Sequence, residues 1–184
     1  MNDRLLSIRD FAAAAHEGQL RRFEEGPYIV HPVRVMERCA EYTNATPILA
    51  AALLHDVVED TSVTAEELHR FLLTVLTEKE AIQTSKLVEE LTDVYLSKNY
   101  PYWNRRKRKS KEADRLASTS SEAQTIKYAD IIDNSRSFAG TDDGFVQVYL
   151  KEAQTLLSKM QKGNPQLRQL AIDTIDKYLS DLDR

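Results

Sequence analysis

Cysteine, glycine and proline are scarce in this 184-residue sequence, and long apolar runs are missing. Its single cysteine, Cys39, excludes an internal disulfide and a zinc site built on cysteines, and it fits a reducing compartment. With 5 Gly and 5 Pro, the composition excludes collagen-like and linker-rich chains. The longest apolar run, residues 48–54, is far too short to cross a membrane, and the first 16 residues lack a signal peptide's apolar run. We therefore expect a cytoplasmic protein without a membrane partner.

The charge balance argues against a general nucleic-acid binder. Lys and Arg number 25 and Asp and Glu 29, giving a net charge of −4, whereas nucleic-acid binders are more often basic overall. Basic chemistry must therefore be local, and residues 105–109 read Arg-Arg-Lys-Arg-Lys, with Lys111 close behind. The length fits one domain, residues 1–184, with its own core.

Apolar residues recur at spacings of three and four nearly throughout, which predicts an all-α bundle of about nine helices. The predicted helices span roughly 4–17, 32–43, 47–58, 64–74, 78–92, 102–117, 121–138, 143–161 and 165–182. The C-terminal helices, 143–182, are amphipathic and carry no evident chemistry. The sequence leaves open whether they close the core or form the surface of a homo-oligomer.

The predicted helix 47–58 carries charges where a core helix should not. Its apolar first part runs directly into His55-Asp56 and then Glu59-Asp60. Helical spacing places 55 with 59, and 56 with 60, on common faces. A buried carboxylate needs a partner, and no Lys or Arg lies between Arg38 and Arg70. A bound cation and a long-range salt bridge are the two candidates.

For the His55-Asp56 pair we favour metal ligation, because imidazole and carboxylate together suit Mn²⁺, Fe²⁺ or Zn²⁺. For Glu59 and Asp60, a solvated helix end is an equally good interpretation. Of the other three histidines, His31 precedes a helix-starting proline and is held at a helix mouth. His69 is interpreted as a surface residue and His16 as a structural one.

One further acidic segment enters an apolar helix. Asp130 is flanked by Ala129 and Ile131, and Asp133 follows one turn later. Lys127, Asp130 and Asn134 share a helix face by their spacing. The physics of the sequence does not choose between Asp130 and Asp133 as a further ligand.

These residues resemble the HD phosphohydrolase superfamily and, more closely, the hydrolase domain of RelA/SpoT proteins. Three blocks carry the resemblance in family order, over a motif-bearing core of about residues 10–138. They are Ala15–Gln19 with Arg21-Arg22 and Pro27–Pro32, then Ala51–Thr61, then Ile126–Asp130 with Asn134. Because the chain has no room for a synthetase domain, it resembles the stand-alone small alarmone hydrolases, such as the metazoan SpoT homologues.

The resemblance implies one Mn²⁺, with Zn²⁺ or Fe²⁺ as alternatives, held by His31, His55, Asp56 and Asp130. It implies that Glu59 and Asp60 act on the reacting water. It also implies that Arg21, with Arg22 beside it, binds the guanine side of the substrate and that Asn134 binds the ribose. The implied reaction removes the 3′-pyrophosphate from ppGpp or pppGpp.

The basic run gives a further hypothesis about the substrate. On a helix from about 102 to 117, the spacing puts Arg105, Arg108 and Lys109 on one face and turns Arg106 away. We expect Arg105 and Lys109 to bind substrate phosphates. A solvated charge run or a weak nucleic-acid patch is the alternative.

Two rival functions stay open on the sequence alone. Another HD phosphohydrolase, such as a nucleotidase or an NADPH phosphatase, would keep the metal site and change the base pocket near residues 21–26. A non-catalytic nucleotide sensor has to explain why Glu59 and Asp60 stand beside a complete set of ligands.

Overall fold

The computed structural model describes residues 1–21, 23–138 and 144–182, and these residues form an all-α protein. Nine helices of nine residues or more and one four-residue helical turn occur in these ranges, and no strand does. They are α1 Asp3–Ala15, α2 Val30–Ala40, α3 Thr46–Leu54, α4 Val57–Asp60, α5 Ala65–Val75, α6 Glu78–Leu91, α7 Arg105–Ser118, α8 Ser121–Arg136, α9 Gly144–Lys159 and α10 Pro165–Leu182. The predicted fold class is confirmed.

The prediction of one helix over 47–58 is wrong, because the helix stops at the His55-Asp56 pair. The first helix, α3, ends at Leu54, and the short α4 begins at Val57. The imidazole Nδ1 of His55 lies 2.9 Å from the carbonyl oxygen of Ala52, which a continuing α-helix would offer to the amide of Asp56. The backbone of Asp56 has φ −98° and ψ −8°, a sparsely allowed region in which many active-site residues lie.

The chain divides into two compact units, Met1–Thr92 and Asp93–Arg184. In the first unit, α3 is the central helix and packs against α1, α2 and α6. Its side chains from Leu49 to Leu54 are all buried, as expected for a helix that is apolar all round.

In the second unit, α8 packs mainly against α10, and α9 packs against α7, α8 and α10. The hydroxyl of the buried Tyr128 donates to the carbonyl oxygen of Met160 at 2.9 Å, which ties α8 to the segment after α9. The expectation of one domain over residues 1–184 stays a prediction.

Helix starts follow local capping rules. Thr64 and Glu67 form the capping box that begins α5, with the Thr64 side chain accepting from the Glu67 amide at 3.2 Å. Thr77 and Glu80 repeat the arrangement at α6. Across the described ranges, every helix is too short or too polar to span a bilayer.

Candidate metal centre and basic cleft

Two histidines and one aspartate converge in the first unit. The Nε2 atom of His55 lies 3.0 Å from Oδ2 of Asp56, and Nε2 of His31 lies 3.5 Å from the same oxygen. One ligand atom from each residue lies within 4.8 Å of the other two, a spacing that one ion can bridge. His31 and His55 are almost fully buried. The structure therefore brings together three of the four predicted ligands.

The orientation of the His55 ring fits a metal ligand. Its Nδ1 atom faces the carbonyl oxygen of Ala52 at 2.9 Å, so Nδ1 carries the proton and donates to that oxygen. The Nε2 atom of the neutral ring then presents a lone pair toward the Asp56 carboxylate. Lone pairs that meet in a buried place require a positive charge between them, supplied by a proton or a metal cation.

The phenol of Tyr28 is a contact that the sequence reasoning missed. Its hydroxyl donates to Oδ2 of Asp56 at 2.6 Å and lies 3.3 Å from Oδ2 of Asp60. A short loop positions it, closed by an isolated bridge between Leu20 and Pro27. The sequence did contain a signal for this contact, because Tyr28 lies three residues before the predicted ligand His31 in the same motif block.

His16 and Gln19 extend this group through contacts with Tyr28 and Asp60. The His16 ring is buried and stacks on Tyr28 with ring centroids 4.5 Å apart. Its Nδ1 lies 2.8 Å from Oε1 of Gln19, whose amide nitrogen donates to the backbone carbonyl of Asp60 at 2.8 Å. This series of hydrogen bonds, from His16 through Gln19 to the Asp60 carbonyl, therefore holds the end of α4 in place.

The two acidic side chains that contact Tyr28 have opposite pKa shifts. Burial alone would raise the pKa of Asp56. When a proton supplies the positive charge between these groups, the charge of His55 and hydrogen bonds from His31 and His55 hold this pKa well below its usual value. Burial and the negative charge of Asp56 raise the pKa of Asp60, against the effect of the Tyr28 hydrogen bond. Asp56 therefore keeps its negative charge to a lower pH than Asp60 does.

The other predicted residues of the first unit lie close by. Glu59 is half-buried in α4, in the same turn as Asp60. The guanidinium of Arg21 lies 5.9 Å from the centroid of the Tyr28 ring, and its Nε lies 3.7 Å from the carboxylate of Glu24. Arg22, also predicted to bind substrate, lies outside the described residues.

Asp130 belongs to the second unit, where it is buried within α8. Nζ of Lys127 lies 2.7 Å from its Oδ2, and the amide nitrogen of Asn134 donates to its Oδ1 at 2.6 Å. These three residues share a helix face, as their spacing predicted. Asp133, the other candidate of the sequence, is also buried in α8.

A cleft of about 750 Å³ opens in the second unit between α7, α8 and α9. Its basic lining residues are Arg105, Arg106, Lys109, Lys127 and Lys151. Asp130 and Asn134 line the same cleft, and its apolar wall includes Leu116, Ile131 and Tyr149. A space of this size and polarity is suited to a ligand as large as a nucleotide.

The basic run has a different orientation from the one its spacing suggested. Arg106 lines the cleft, whereas Arg108 does not and donates instead to the carbonyl oxygen of Trp103. The prediction that Arg108 faces with Arg105 and Lys109 is wrong, because this contact with the preceding loop draws its side chain away. Arg105 and Lys109 do line the cleft, and each is already paired with a carboxylate, Glu152 at 2.7 Å and Asp93 at 3.0 Å.

Comparisons with known proteins agree over most of the chain. A family model described as HD domain matches residues 9–159. Guanosine-3′,5′-bis(diphosphate) 3′-pyrophosphohydrolase MESH1 of Mus musculus is 34% identical over 173 residues, covering 90% of this chain and 89% of that protein. The protein of the same name from Homo sapiens matches with the same identity and coverage. A solved metazoan orthologue of SpoT, described as hydrolysing ppGpp, aligns with a TM-score of 0.79 at 26% identity, over 99% of this chain and 98% of that one.

Proposed function

Because this chain belongs to the HD domain family, we propose that it is a metal-dependent phosphohydrolase that removes the 3′-pyrophosphate of guanosine alarmones. The products are GDP and pyrophosphate from ppGpp, or GTP and pyrophosphate from pppGpp. The printed names of the mouse and human relatives support this substrate class. The observation that carries the proposal is the cluster of the buried His31 and His55 with the half-buried Asp56, with one ligand atom from each within 4.8 Å of the others.

The proposed cofactor is one Mn²⁺ per chain, with Zn²⁺ and Fe²⁺ as alternatives that the same donors accept. The proposed fourth ligand is Asp130, assigned from its motif. A carboxylate oxygen can accept more than one contact, and in this structure Oδ2 of Asp130 contacts Lys127 and its Oδ1 contacts Asn134. The low histidine count favours a mononuclear site.

When bound, the cation supplies an acidified water and polarises the phosphoryl oxygen. Glu59, assisted by Asp60, accepts a proton from the attacking water as its oxygen bonds to the phosphorus attached to O3′. The bond between this phosphorus and O3′ breaks, O3′ takes up a proton, and pyrophosphate leaves. Tyr28 holds the carboxylates of Asp56 and Asp60 in place during this hydrolysis.

The substrate contacts remain proposals from the sequence. Arg21 and Arg22 are assigned to the base side, and Asn134 to the ribose. Arg105 and Lys109 are assigned to the phosphates, for which they would exchange their carboxylate partners. Phosphates are better partners for a guanidinium than a single solvated carboxylate, because they accept hydrogen bonds at several oxygens.

The test is incubation with Mn²⁺ and ppGpp, pppGpp, NADPH or a deoxynucleoside monophosphate, with the products separated by chromatography. We expect pyrophosphate and GDP from ppGpp. Orthophosphate from NADPH or the monophosphate, without turnover of ppGpp, would assign the site to another phosphohydrolase activity. Absence of turnover with every compound would favour a nucleotide sensor.

Cytoplasmic localisation also stays a proposal, supported by the single cysteine. Homo-oligomer formation is likewise a prediction, which sedimentation of the purified chain tests.

A further inference from the structure

The segment that joins α6 to α7 combines basic and aromatic residues. Residues 94–111 contain seven Lys and Arg and no Asp or Glu, in a chain whose net charge is −4. The same residues include four aromatic ones, Tyr95, Tyr100, Tyr102 and Trp103. We call residues 94–107 the aromatic–basic segment. None of its rings takes part in the proposed hydrolase reaction, so their function is open.

Three of the four rings pack on one another. The ring centroids of Tyr95 and Tyr100 lie 5.0 Å apart, and that of Trp103 lies 4.7 Å from Tyr100 and 5.8 Å from Tyr95. Each of these three residues is half-buried, whereas Tyr102 is 98% exposed. The three packed rings therefore form a base, and the ring of Tyr102 presents its faces to a ligand.

Hydrogen bonds hold the backbone of the aromatic–basic segment at both ends. The carboxylate of Glu112, which is buried, accepts from the backbone amides of Val94 and Tyr95 at 3.0 Å each. At the other end, the guanidinium of Arg108 donates to the carbonyl oxygen of Trp103. The exposed ring that precedes Trp103 is thus carried on a fixed backbone, and a ligand that stacks on it has little chain to order.

Positive charge accompanies the exposed ring. Nζ of Lys107 lies 4.2 Å from the centroid of the Trp103 ring, which is within the range of a cation–π contact. Lys98 and Lys107 are both exposed, and the residues that the structure describes offer neither an ion-pair partner. A cation beside aromatic rings attracts an anion that also has planar groups to stack.

We propose that the aromatic–basic segment binds a single-stranded nucleic acid, with one base stacked on Tyr102 and a neighbouring phosphate contacting Lys107. Proteins that bind single strands combine these two elements, an aromatic platform for the bases and cations along the backbone. A duplex has the same phosphates but keeps its bases stacked on one another, so it cannot use the ring. Neither Tyr102 nor Lys107 is assigned to the hydrolase reaction, so the two activities are tested separately.

A lipid surface is the less favoured partner. Binding to a membrane interface depends on apolar side chains that enter the boundary between head groups and acyl chains. In the aromatic–basic segment, three of the four rings are packed on one another and only Tyr102 is fully exposed. One tyrosine gives little area to insert, but it is sufficient to stack one base.

The test is fluorescence anisotropy at low salt with labelled oligouridine and oligothymidine, and with an RNA duplex of the same length. We expect both single strands to bind more tightly than the duplex, and the tighter of the two identifies the class of nucleic acid. Tyr102→Ala should weaken binding about tenfold, the usual effect of losing one stacked base, whereas Tyr102→Phe keeps the ring and should bind as the wild type does. Lys107→Gln should make the dependence of log Kd on log salt concentration less steep by about 0.7, the value for one phosphate contact of a single strand.

Lys177→Gln is the matched control for the lysine substitution. The ammonium of Lys177 lies 5.8 Å from the centroid of the Tyr178 ring, so it is a second exposed lysine beside an aromatic ring, but it belongs to α10. We expect this variant to keep the affinity and the salt dependence of the wild type. Thermal melts check that every variant is folded.

Trp103 is the single tryptophan of the chain and gives a second readout. Its fluorescence should change when unlabelled oligouridine is added to the wild type, and at the same concentration it should change much less in Tyr102→Ala. Equal affinity of Tyr102→Ala and the wild type, duplex binding as tight as single-strand binding, or no binding at low salt would overturn the proposal. Binding confined to vesicles of phosphatidylcholine and phosphatidylserine would also overturn it and would assign the segment to a lipid surface.

Discussion

The hydroxyl of Tyr28 donates to Oδ2 of Asp56 at 2.6 Å, and this is the same oxygen toward which His31 and His55 both point. The two residues are 28 positions apart, on a loop before α2 and at the break between α3 and α4. A donor to a ligating carboxylate fixes the direction of its lone pairs without occupying all of them. We therefore expect Tyr28 to act as a positioning residue for the proposed metal centre.

Removal of that hydroxyl should weaken the metal site. In Tyr28→Phe we expect the affinity for Mn²⁺ to fall about 10–100-fold, the usual cost of losing a partner of a metal ligand. Calorimetric titration of Mn²⁺ measures it, and a thermal melt without metal checks that the variant is folded. Tyr102→Phe is the matched control, because the Tyr102 side chain is 98% exposed. Unchanged Mn²⁺ affinity in Tyr28→Phe would contradict the positioning role assigned to Tyr28.

Glu59 is predicted to act on the proton of the attacking water and not on the metal. We therefore expect Glu59→Gln to lower kcat by about 10²–10⁴-fold while its Mn²⁺ stoichiometry stays at the wild-type level. Glu89→Gln, an exposed glutamate of α6, serves as the control and should keep full activity. Wild-type turnover in a metal-loaded Glu59→Gln protein would contradict the assignment.

The thiol of Cys39 should be nearly inert in the folded protein. Burial raises its pKa to about 12, so at pH 8 roughly one thiol in ten thousand is ionised, and the thiolate is the reactive form. We expect iodoacetamide to label native protein far more slowly than protein unfolded in urea, with mass spectrometry as the readout. Comparable labelling rates in both states would show that the thiol is accessible.

The same pKa shift makes stability depend on alkaline pH. The unfolded chain loses the thiol proton near the ordinary value of 9.0 and the folded chain near 12, so the contribution present below 9.0 is lost as pH rises toward 12. The free energy of unfolding in urea should therefore fall more steeply over that window for the wild type than for Cys39→Ala. Parallel curves for the two proteins would contradict this linkage.

Gly163 is required by a close approach inside the second unit. A Cβ atom there would lie 2.5 Å from Cε2 of Tyr128 and 2.8 Å from the backbone nitrogen of Thr125. We expect Gly163→Ala to lower the free energy of unfolding by about 1–3 kcal/mol, the usual cost of overpacking. In the control Gly144→Ala, the new methyl group meets open space. Equal stability of the two variants in urea would show that the second unit relaxes around the methyl group.

Periodicity predicted the helices well because apolar spacing directly reports which faces are buried. The break at His55 could not be read in this way. Its cause is a side chain that takes the backbone carbonyl of Ala52, and that contact leaves no trace in a pattern of apolar residues. The direction of Arg108 was missed for a similar reason, since a loop carbonyl determines it.

The candidate site was predicted in part. An unusual feature, charges at the end of an apolar helix, identified His55 and Asp56, because buried charges need compensation. Tyr28 and Gln19 escaped notice, because their roles depend on a loop that carries them to residues far along the chain. Asp130 and Asp133 are chemically identical and both buried, so only the family motif distinguished them.

Metal binding by Asp130→Asn and Asp133→Asn tests the central claim most directly. Both variants replace a buried carboxylate of α8 with an amide of the same shape, so a difference between them reports on ligation rather than packing. Calorimetric titration with Mn²⁺ should show one ion per chain in the wild type and in Asp133→Asn, and at least about tenfold weaker binding in Asp130→Asn. Full affinity in Asp130→Asn would contradict a four-ligand site made of His31, His55, Asp56 and Asp130.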